Sequence, residues 1–217
     1  MQKLHDYLWG TQLPPFKLKQ SFCIGEGALF YYRCLAFLVE SFIFFWVFST
    51  GGWFLELKYM TLWGVLWTYM YWICILLCYC LYRTHDDVDE KKVWSLWKFT
   101  NFLFELAFTL ECLIPLFFWT VLYEKLPDDH HGTNFEKTLC VHLFTGMTLW
   151  IEMCFNKIPF YKRHIWPIAI FGVIYSIINF TVTKVTGHVV YPGITWDDLA
   201  TYIQLAVAGL IAFLAFQ

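Results

Sequence analysis

Long apolar runs alternate with short polar connections along the whole chain. Six of these runs are close to the roughly 20 residues that a helix needs to cross about 30 Å of hydrocarbon. The connections between them leave no room for a soluble domain. The pattern therefore predicts an all-α polytopic membrane protein, a bundle of six transmembrane helices. The predicted spans are approximately Ala28–Thr50, Tyr59–Tyr82, Trp97–Tyr123, Thr138–Phe160, Ile165–Val182 and Leu199–Phe216.

The start of the first apolar run divides the chain into two regions. Residues 1–27 are predicted to be a polar N-terminal segment, and residues 28–217 the six-helix transmembrane domain. Proline removes a helical hydrogen bond, so Pro115 is expected to kink the third span and Pro159 to stop the fourth. The N-terminal segment has no apolar core followed by a small-residue cleavage site. An uncleaved span is therefore expected to target the chain to its membrane.

Composition supports a membrane protein and excludes nucleic-acid binding. The 217 residues are 59% hydrophobic and 15% charged, whereas soluble domains average about 45–50% apolar and about 25% charged residues. The formal net charge of -2 gives no basic face for nucleic acid, and the 22% aromatic content suits the interfacial belts of a membrane protein. Membrane lipids are therefore the expected partners, and nucleic acid is not.

The sequence predicts neither a metal nor a cofactor. The eight cysteines lie mostly inside the spans, as Cys74, Cys78 and Cys80 do, without the spacing of zinc ligands. They are interpreted as small buried hydrophobic residues. The pair His130-His131 follows two aspartates and looks suited to metal binding, but no further chelating residues recur at helical spacing. A solvated loop is the preferred interpretation of that pair.

Lysine and arginine are distributed unequally between the two faces of the predicted bundle. Eleven of the 15 lie in the N-terminal segment with the base of the first span, the second loop and the fourth loop. Because basic residues accumulate on the side that is not translocated, both termini are expected in the cytosol, or in the matrix of a mitochondrion. The other face carries Lys58, Lys125, Lys137 and Lys184.

Two candidate catalytic residues enter the membrane from the sparsely basic face. Thr61 lies just inside the second span and His142 just inside the fourth, each about 5 Å deep at 1.5 Å per residue. A hydroxyl beside an imidazole can act as a nucleophile activated by a base. Thr61 could instead donate to a carbonyl one turn earlier, and His142 could be an interhelical hydrogen-bonding residue. Contact between the two spans is not visible in the sequence.

Other ionisable residues at membrane depth have several interpretations. Glu40, Glu105, Glu111 and Glu152 are expected to pair or cap polar groups, although a proton relay stays open. Glu152 lies about 15 Å along the helix from the histidine of the fourth span, too far to orient its ring. His188 could join a site from the same face, but a loop histidine is more often solvated.

Four short motifs in this order resemble a known family of six-span membrane proteins. The family includes the androgen-induced and androgen-dependent transmembrane proteins and the rolling-stone proteins. The motifs are KYMTLWG at Lys58–Gly64, His142 at the start of the fourth span, NKIPF at Asn156–Phe160 and VVYPGITW at Val189–Trp196. The resemblance implies a threonine hydrolase of fatty-acid esters of hydroxy fatty acids, with Thr61 as nucleophile and His142 as base. Leu62 stands where the family motif often has asparagine.

Three functions are weighed against one another. The first is an intramembrane lipid ester hydrolase, in the endomembrane system or plasma membrane if the family resemblance holds. The second is a non-catalytic accessory subunit of a membrane complex, for instance a respiratory assembly of the mitochondrial inner membrane. In that case Met1–Gln20 is expected to contact other membrane-protein subunits, because PPFKLKQ has too few apolar residues to order itself. Proton or ion transport ranks last, because interrupted helices and repeated halves are missing.

Overall fold

The computed structural model describes residues 2–9, 18–51, 56–82, 95–125, 135–191 and 193–216. This part of the chain is helical, with a single isolated β-bridge between Ser21 and Asn156. The solvated loop predicted at residues 83–92, Pro14-Pro15 and the pair His130-His131 lie outside the described residues. The helices are α1 Gln2–Trp9, α2 Glu26–Gly51, α3 Met60–Leu81, α4 Leu96–Phe117, α5 with its α-helical parts Phe135–Leu139 and Thr145–Phe155, α6 Ile165–Thr186 and α7 Leu199–Phe216.

Six of these helices, α2 to α7, are long and apolar enough to cross a membrane. The predicted all-α fold with six spans is therefore confirmed, and the protein is a multi-pass membrane protein. The last span has the predicted bounds, and α6 continues to Thr186, where Gly187 ends it in the left-handed conformation (φ 68°). The side of the membrane on which the termini lie stays a prediction.

The fourth span ends earlier than predicted. Helix α5 stops at Phe155, and Asn156 is extended, with its side-chain oxygen accepting the Ile158 amide at 2.9 Å. The apolar run continues to Phe160, but this part pairs with the N-terminal segment, whose Phe22 amide donates to the Phe155 carbonyl at 2.9 Å. The prediction that Pro159 stops the helix was therefore wrong: the side chain of Asn156 ends it first, by turning the backbone toward residues 20–22.

Helix α4 is the centre of the bundle. It packs against α3, α5 and α7 and is the most buried of the six spans, whereas α6 and α7 are the least buried. The α-helix continues through Pro115 and changes to a π-helical turn at Phe118–Leu122. Gly146 of α5 lies against the carbonyl of Glu111, the acceptor that the missing Pro115 amide leaves without its helical partner. A larger side chain there would push the two helices apart.

Buried ion pairs fill one end of the bundle, which we call the ionic end. Arg33 of α2 pairs with Glu152 of α5, and both side chains are fully buried. The same carboxylate accepts the Tyr71 hydroxyl at 2.9 Å and the Asn156 amide at 3.2 Å. At this end Glu105 also pairs with His164. The prediction that membrane-level carboxylates are paired therefore holds for Glu105 and Glu152.

The N-terminal segment packs on the ionic end of its own chain. Trp9 is 1% exposed and its ring contacts the ring of His164, with centroids 4.6 Å apart. Leu18 is buried as well, and its carbonyl accepts the Arg33 guanidinium at 2.5 Å. Trp9 and Leu18 thus lie against an aromatic surface and a buried arginine of the bundle. The expectation that Met1–Gln20 contacts other membrane-protein subunits stays a prediction.

Two other buried carboxylates lie between the helices, nearer the opposite end. Glu40 of α2 accepts the Thr145 hydroxyl at 3.3 Å. Glu111 of α4 is fully buried, and its carboxylate occupies the space that a β-carbon at Gly64 would need. Glu111 therefore faces neighbouring helices as predicted. Among the described residues its carboxylate has no hydrogen-bond partner, so its pairing stays a prediction.

The cysteines are all free among the described residues, but they are not uniformly buried. Cys74 and Cys78 lie in the core of the bundle, as predicted, whereas Cys80, Cys23 and Cys154 are exposed. The interpretation of Cys80 as buried was wrong because its side chain lies on the outer face of α3. An apolar run that spans a membrane does not show by composition which of its faces points outward.

Candidate functional site

Thr61 and His142 lie at hydrogen-bond distance at the end of the bundle opposite the ionic end. The Thr61 Oγ1 and the His142 Nε2 are 3.1 Å apart. Thr61 is 7% exposed and lies in the first turn of α3, while His142 is half-buried in α5. The structure thus brings the two sequence-predicted site residues together. Whether they are catalytic stays a prediction.

The local hydrogen bonds around Thr61 leave its hydroxyl available to the histidine. A threonine in a helix commonly donates to a carbonyl three or four residues earlier. Here the Leu57 carbonyl accepts the Trp63 indole at 2.7 Å, and the Lys58 carbonyl accepts the Tyr175 hydroxyl at 2.7 Å. Because Thr61 lies at the start of α3, these two carbonyls are outside the regular helix and other side chains occupy them.

The second ring nitrogen of His142 fixes the protonation pattern of the imidazole. Nδ1 lies 2.9 Å from the carbonyl oxygen of Thr138, one turn earlier in α5. A carbonyl oxygen only accepts, so Nδ1 carries the proton and the Nε2 of the neutral ring is an acceptor. The Thr61 hydroxyl therefore donates to Nε2. This is the direction of proton transfer that a base requires of its nucleophile.

Two π-helical turns meet at the histidine. One is Cys140–Phe144 in α5, which contains His142, and the other is Phe118–Leu122 at the end of α4. The rings of Phe118 and His142 are stacked with centroids 3.4 Å apart and planes inclined by 16°. The Trp119 indole donates to the His142 carbonyl at 3.3 Å. Short π-helical turns widen a helix locally and are common at functional sites; here they fix the plane of the imidazole.

An apolar cavity of about 550 Å³ extends from Thr61 between α3, α4, α6 and α7. Its walls are mainly aliphatic and aromatic side chains, with Thr61 and Tyr191 among the polar groups near one end. Residues of α6 from Ile165 to Asn179 border the cavity opposite α4. Val173 and Phe213 line the cavity and are exposed on the lateral surface of the bundle. The cavity therefore opens sideways, at membrane depth.

The loop between α6 and α7 forms the wall of the cavity nearest Thr61. The Tyr191 hydroxyl accepts the Met60 amide at 2.6 Å. Trp196 lines the same cavity with a positive φ of 66°, which is rare for a residue with a side chain. In the sequence VVYPGITW stands out only as a motif, and no role was predicted for Tyr191. The signal for this position is a tyrosine directly before a proline, because the residue before a proline has a restricted backbone.

The remaining candidates lie elsewhere. His188 is exposed on the loop, consistent with the interpretation as a solvated residue. Glu105 and Glu152 belong to the ionic end, so neither orients His142. Among the described residues, no group of three or more His, Cys, Asp or Glu side chains could hold a metal ion.

Compared with known proteins, the chain matches no family model, no curated protein and no solved structure. The resemblance to the androgen-induced and rolling-stone proteins is neither supported nor contradicted by this result. It stays a prediction that rests on the four short motifs.

Proposed function

We propose that the protein is an intramembrane lipid ester hydrolase in which Thr61 is the nucleophile and His142 the base. One observation carries the proposal: the Thr61 hydroxyl lies 3.1 Å from the acceptor nitrogen of His142 and lines an apolar cavity that opens toward the bilayer. A hydroxyl needs such a base to attack an ester, and an apolar cavity suits an acyl chain. The family resemblance implies fatty-acid esters of hydroxy fatty acids as the substrate class.

The reaction proceeds in two acyl-transfer steps. An ester enters laterally and presents its carbonyl to Thr61. The Oγ1 attacks the carbonyl carbon, its proton passes to the Nε2 of His142, and the carbonyl electron pair moves to oxygen. The bond to the leaving alcohol then breaks, and the alcohol takes the proton from Nε2. In the second step water gives a proton to Nε2 and its oxygen attacks the acyl carbon. The bond between that carbon and Oγ1 then breaks, His142 returns the proton to Oγ1, and the fatty acid leaves.

The base is oriented by a carbonyl in place of a carboxylate. The Thr138 carbonyl holds Nδ1 of His142, and the ring of Phe118 holds its plane. A carboxylate in this position would also stabilise, by its negative charge, the imidazolium that forms in the reaction. A carbonyl contributes only its dipole, so we expect slower turnover than in a triad of serine, histidine and aspartate.

Probe labelling tests the proposal. A fluorophosphonate probe of serine hydrolases should label the protein in detergent or liposomes, and Thr61→Ala and His142→Ala should each abolish labelling. The double variant should be no worse than either single variant, because residues that act as a unit are not additive. Thr109→Ala is the matched control, since Thr109 lines the same cavity but its hydroxyl donates to the Glu105 carbonyl at 2.7 Å. His188→Ala is the control for the histidine. Unchanged labelling of Thr61→Ala would refute the proposal.

The alternative is a non-catalytic accessory subunit. Trp9 and Leu18 of the N-terminal segment pack on the chain's own bundle, and the partner that this alternative expects for Met1–Gln20 stays a prediction. Purification of the chain from its native membrane as part of a stable complex, with wild-type and Thr61→Ala chains equally inactive toward esters, would return this alternative to the lead.

A further inference from the structure

The attack of Thr61 on an ester creates a negative oxygen that needs a hydrogen-bond donor. Such donors commonly contribute about 10²–10³-fold to turnover, because they stabilise charge that exists only in the transition state. They must lie beside the nucleophile and face the same cavity. In the described chain, Tyr191 is a hydroxyl donor that meets both conditions: it bonds to the residue directly before Thr61 and lines the cavity with it.

The hydrogen bonds around Tyr191 leave its proton available. Its oxygen accepts the Met60 amide at 2.6 Å, so the proton is not used in that contact. The neighbouring Tyr175 gives its own proton to the Lys58 carbonyl at 2.7 Å, and its oxygen lies 3.3 Å from that of Tyr191. A bound amide also polarises the phenol and strengthens it as a donor. Tyr191 is also the acceptor in this contact with Tyr175, so neither contact of its oxygen uses the proton of Tyr191.

Burial raises the pKa of Tyr191, so the phenol keeps its proton at neutral pH and can donate it in a hydrogen bond. The loop that carries Tyr191 is also fixed in place. The backbone amides of Thr195 and Trp196 both donate to the Thr201 hydroxyl, at 3.1 and 3.2 Å, and the Trp196 indole donates to Asn179 at 2.9 Å. A donor that is held in position before the reaction is the kind that stabilises a transition state effectively.

We propose that Tyr191 is a catalytic residue that donates a hydrogen bond to the oxyanion formed when Thr61 attacks the ester. The proton stays on the phenol throughout: the negative charge forms when the carbonyl electron pair moves to oxygen, and it disappears when the pair re-forms the carbonyl and the alcohol leaves. The inference rests on the proposed hydrolase function and adds the group that stabilises its intermediate.

Kinetics of Tyr191→Phe with a short-chain fluorogenic ester test the inference. The variant should lose about 10²–10³-fold in kcat with KM unchanged. A trifluoromethyl ketone, which forms a tetrahedral adduct with the nucleophile, should bind weaker by a similar factor, while an unreactive ether analogue should bind as before. Tyr202→Phe is the matched control, since Tyr202 is exposed on α7. A structural role of Tyr191 would weaken both inhibitors equally, and that result would overturn the inference.

A second variant keeps the phenol oxygen that holds the Met60 amide. Replacing Tyr191 with 3-fluorotyrosine makes the hydroxyl a stronger donor and should tighten ketone binding without changing ether binding. Ketone binding equal to that of the wild type would also overturn the inference.

The failure of the hydrolase proposal and the failure of the Tyr191 proposal give different results. If wild type and Thr61→Ala hydrolyse the ester at the same rate, the hydrolase function fails. If Thr61→Ala is inactive while Tyr191→Phe is fully active, only the role of Tyr191 fails.

Discussion

The two ends of the bundle both bury polar side chains but use them differently. At the ionic end, Arg33 and Glu152 pair with each other and are shielded by Tyr71, Tyr79 and the N-terminal segment. At the other end, Thr61 shares one hydrogen bond with His142 and lines a cavity. Compensated charges stabilise a fold, whereas a polar pair that borders empty space can meet a substrate. Burial of a polar residue in a membrane protein is therefore informative about function only together with what surrounds it.

Removal of one charge at the ionic end should have the largest effect on stability. Arg33→Leu leaves Glu152 fully buried without its counter-charge, and we expect a loss of about 3–5 kcal/mol in the free energy of unfolding in mixed micelles. The double variant Arg33→Leu/Glu152→Leu should recover part of that loss. Lys162→Ala, at an exposed position, is the control. A single variant as stable as wild type would contradict the view that this pair holds the bundle.

Gly64 lies between the two ends and should show an intermediate effect. A β-carbon at this position would collide with the carboxylate of Glu111 and with Ile114 at 2.6 Å. Gly64→Ala should therefore cost about 1–3 kcal/mol of stability and, by shifting α3, reduce probe labelling at Thr61. Gly27→Ala, away from the cavity, has no atom within 4 Å of the added carbon and should leave both unchanged. Full labelling of Gly64→Ala would show that the position of α3 does not depend on this contact.

Thr61 should matter little for stability even if it is essential for activity. Thr61→Val keeps the shape of the side chain and removes one hydrogen bond, so we expect a loss of about 1 kcal/mol or less, measured by the same unfolding assay. A loss as large as that of Arg33→Leu would assign Thr61 to the structural class of polar residues, and the contrast between the two ends would disappear.

The smallest effect is expected at the exposed pair Lys184 and Asp197, which joins the end of α6 to the loop before α7. Both side chains are solvated, at 36% and 74% exposure, so Asp197→Ala should change stability by less than about 0.5 kcal/mol. The difference should vanish in high salt, which screens solvated charges. A larger, salt-independent loss would mean that this pair helps to hold the loop of Tyr191.

The sequence predicted those features that depend on local composition. Apolar run lengths gave the six spans, and matched depth placed Thr61 beside His142 as a possibility. The end of α5 at Asn156 could not be predicted, because the apolar run continues and the turn depends on pairing with residues 20–22. Tyr191 was missed for the same reason: its contact with Met60 joins residues 131 positions apart, and periodicity carries no information about such distances.

The sideways opening of the cavity between Val173 and Phe213 determines which concentration of the substrate sets the rate of the proposed enzyme. A lipid that diffuses in the plane of the bilayer reaches this opening at a frequency set by its mole fraction among neighbouring lipids. Its concentration in the aqueous phase does not enter the rate. Adding inert phospholipid should therefore slow hydrolysis by two-dimensional dilution at a constant amount of ester, and cleaved fatty acid should return to the same leaflet from which its precursor came.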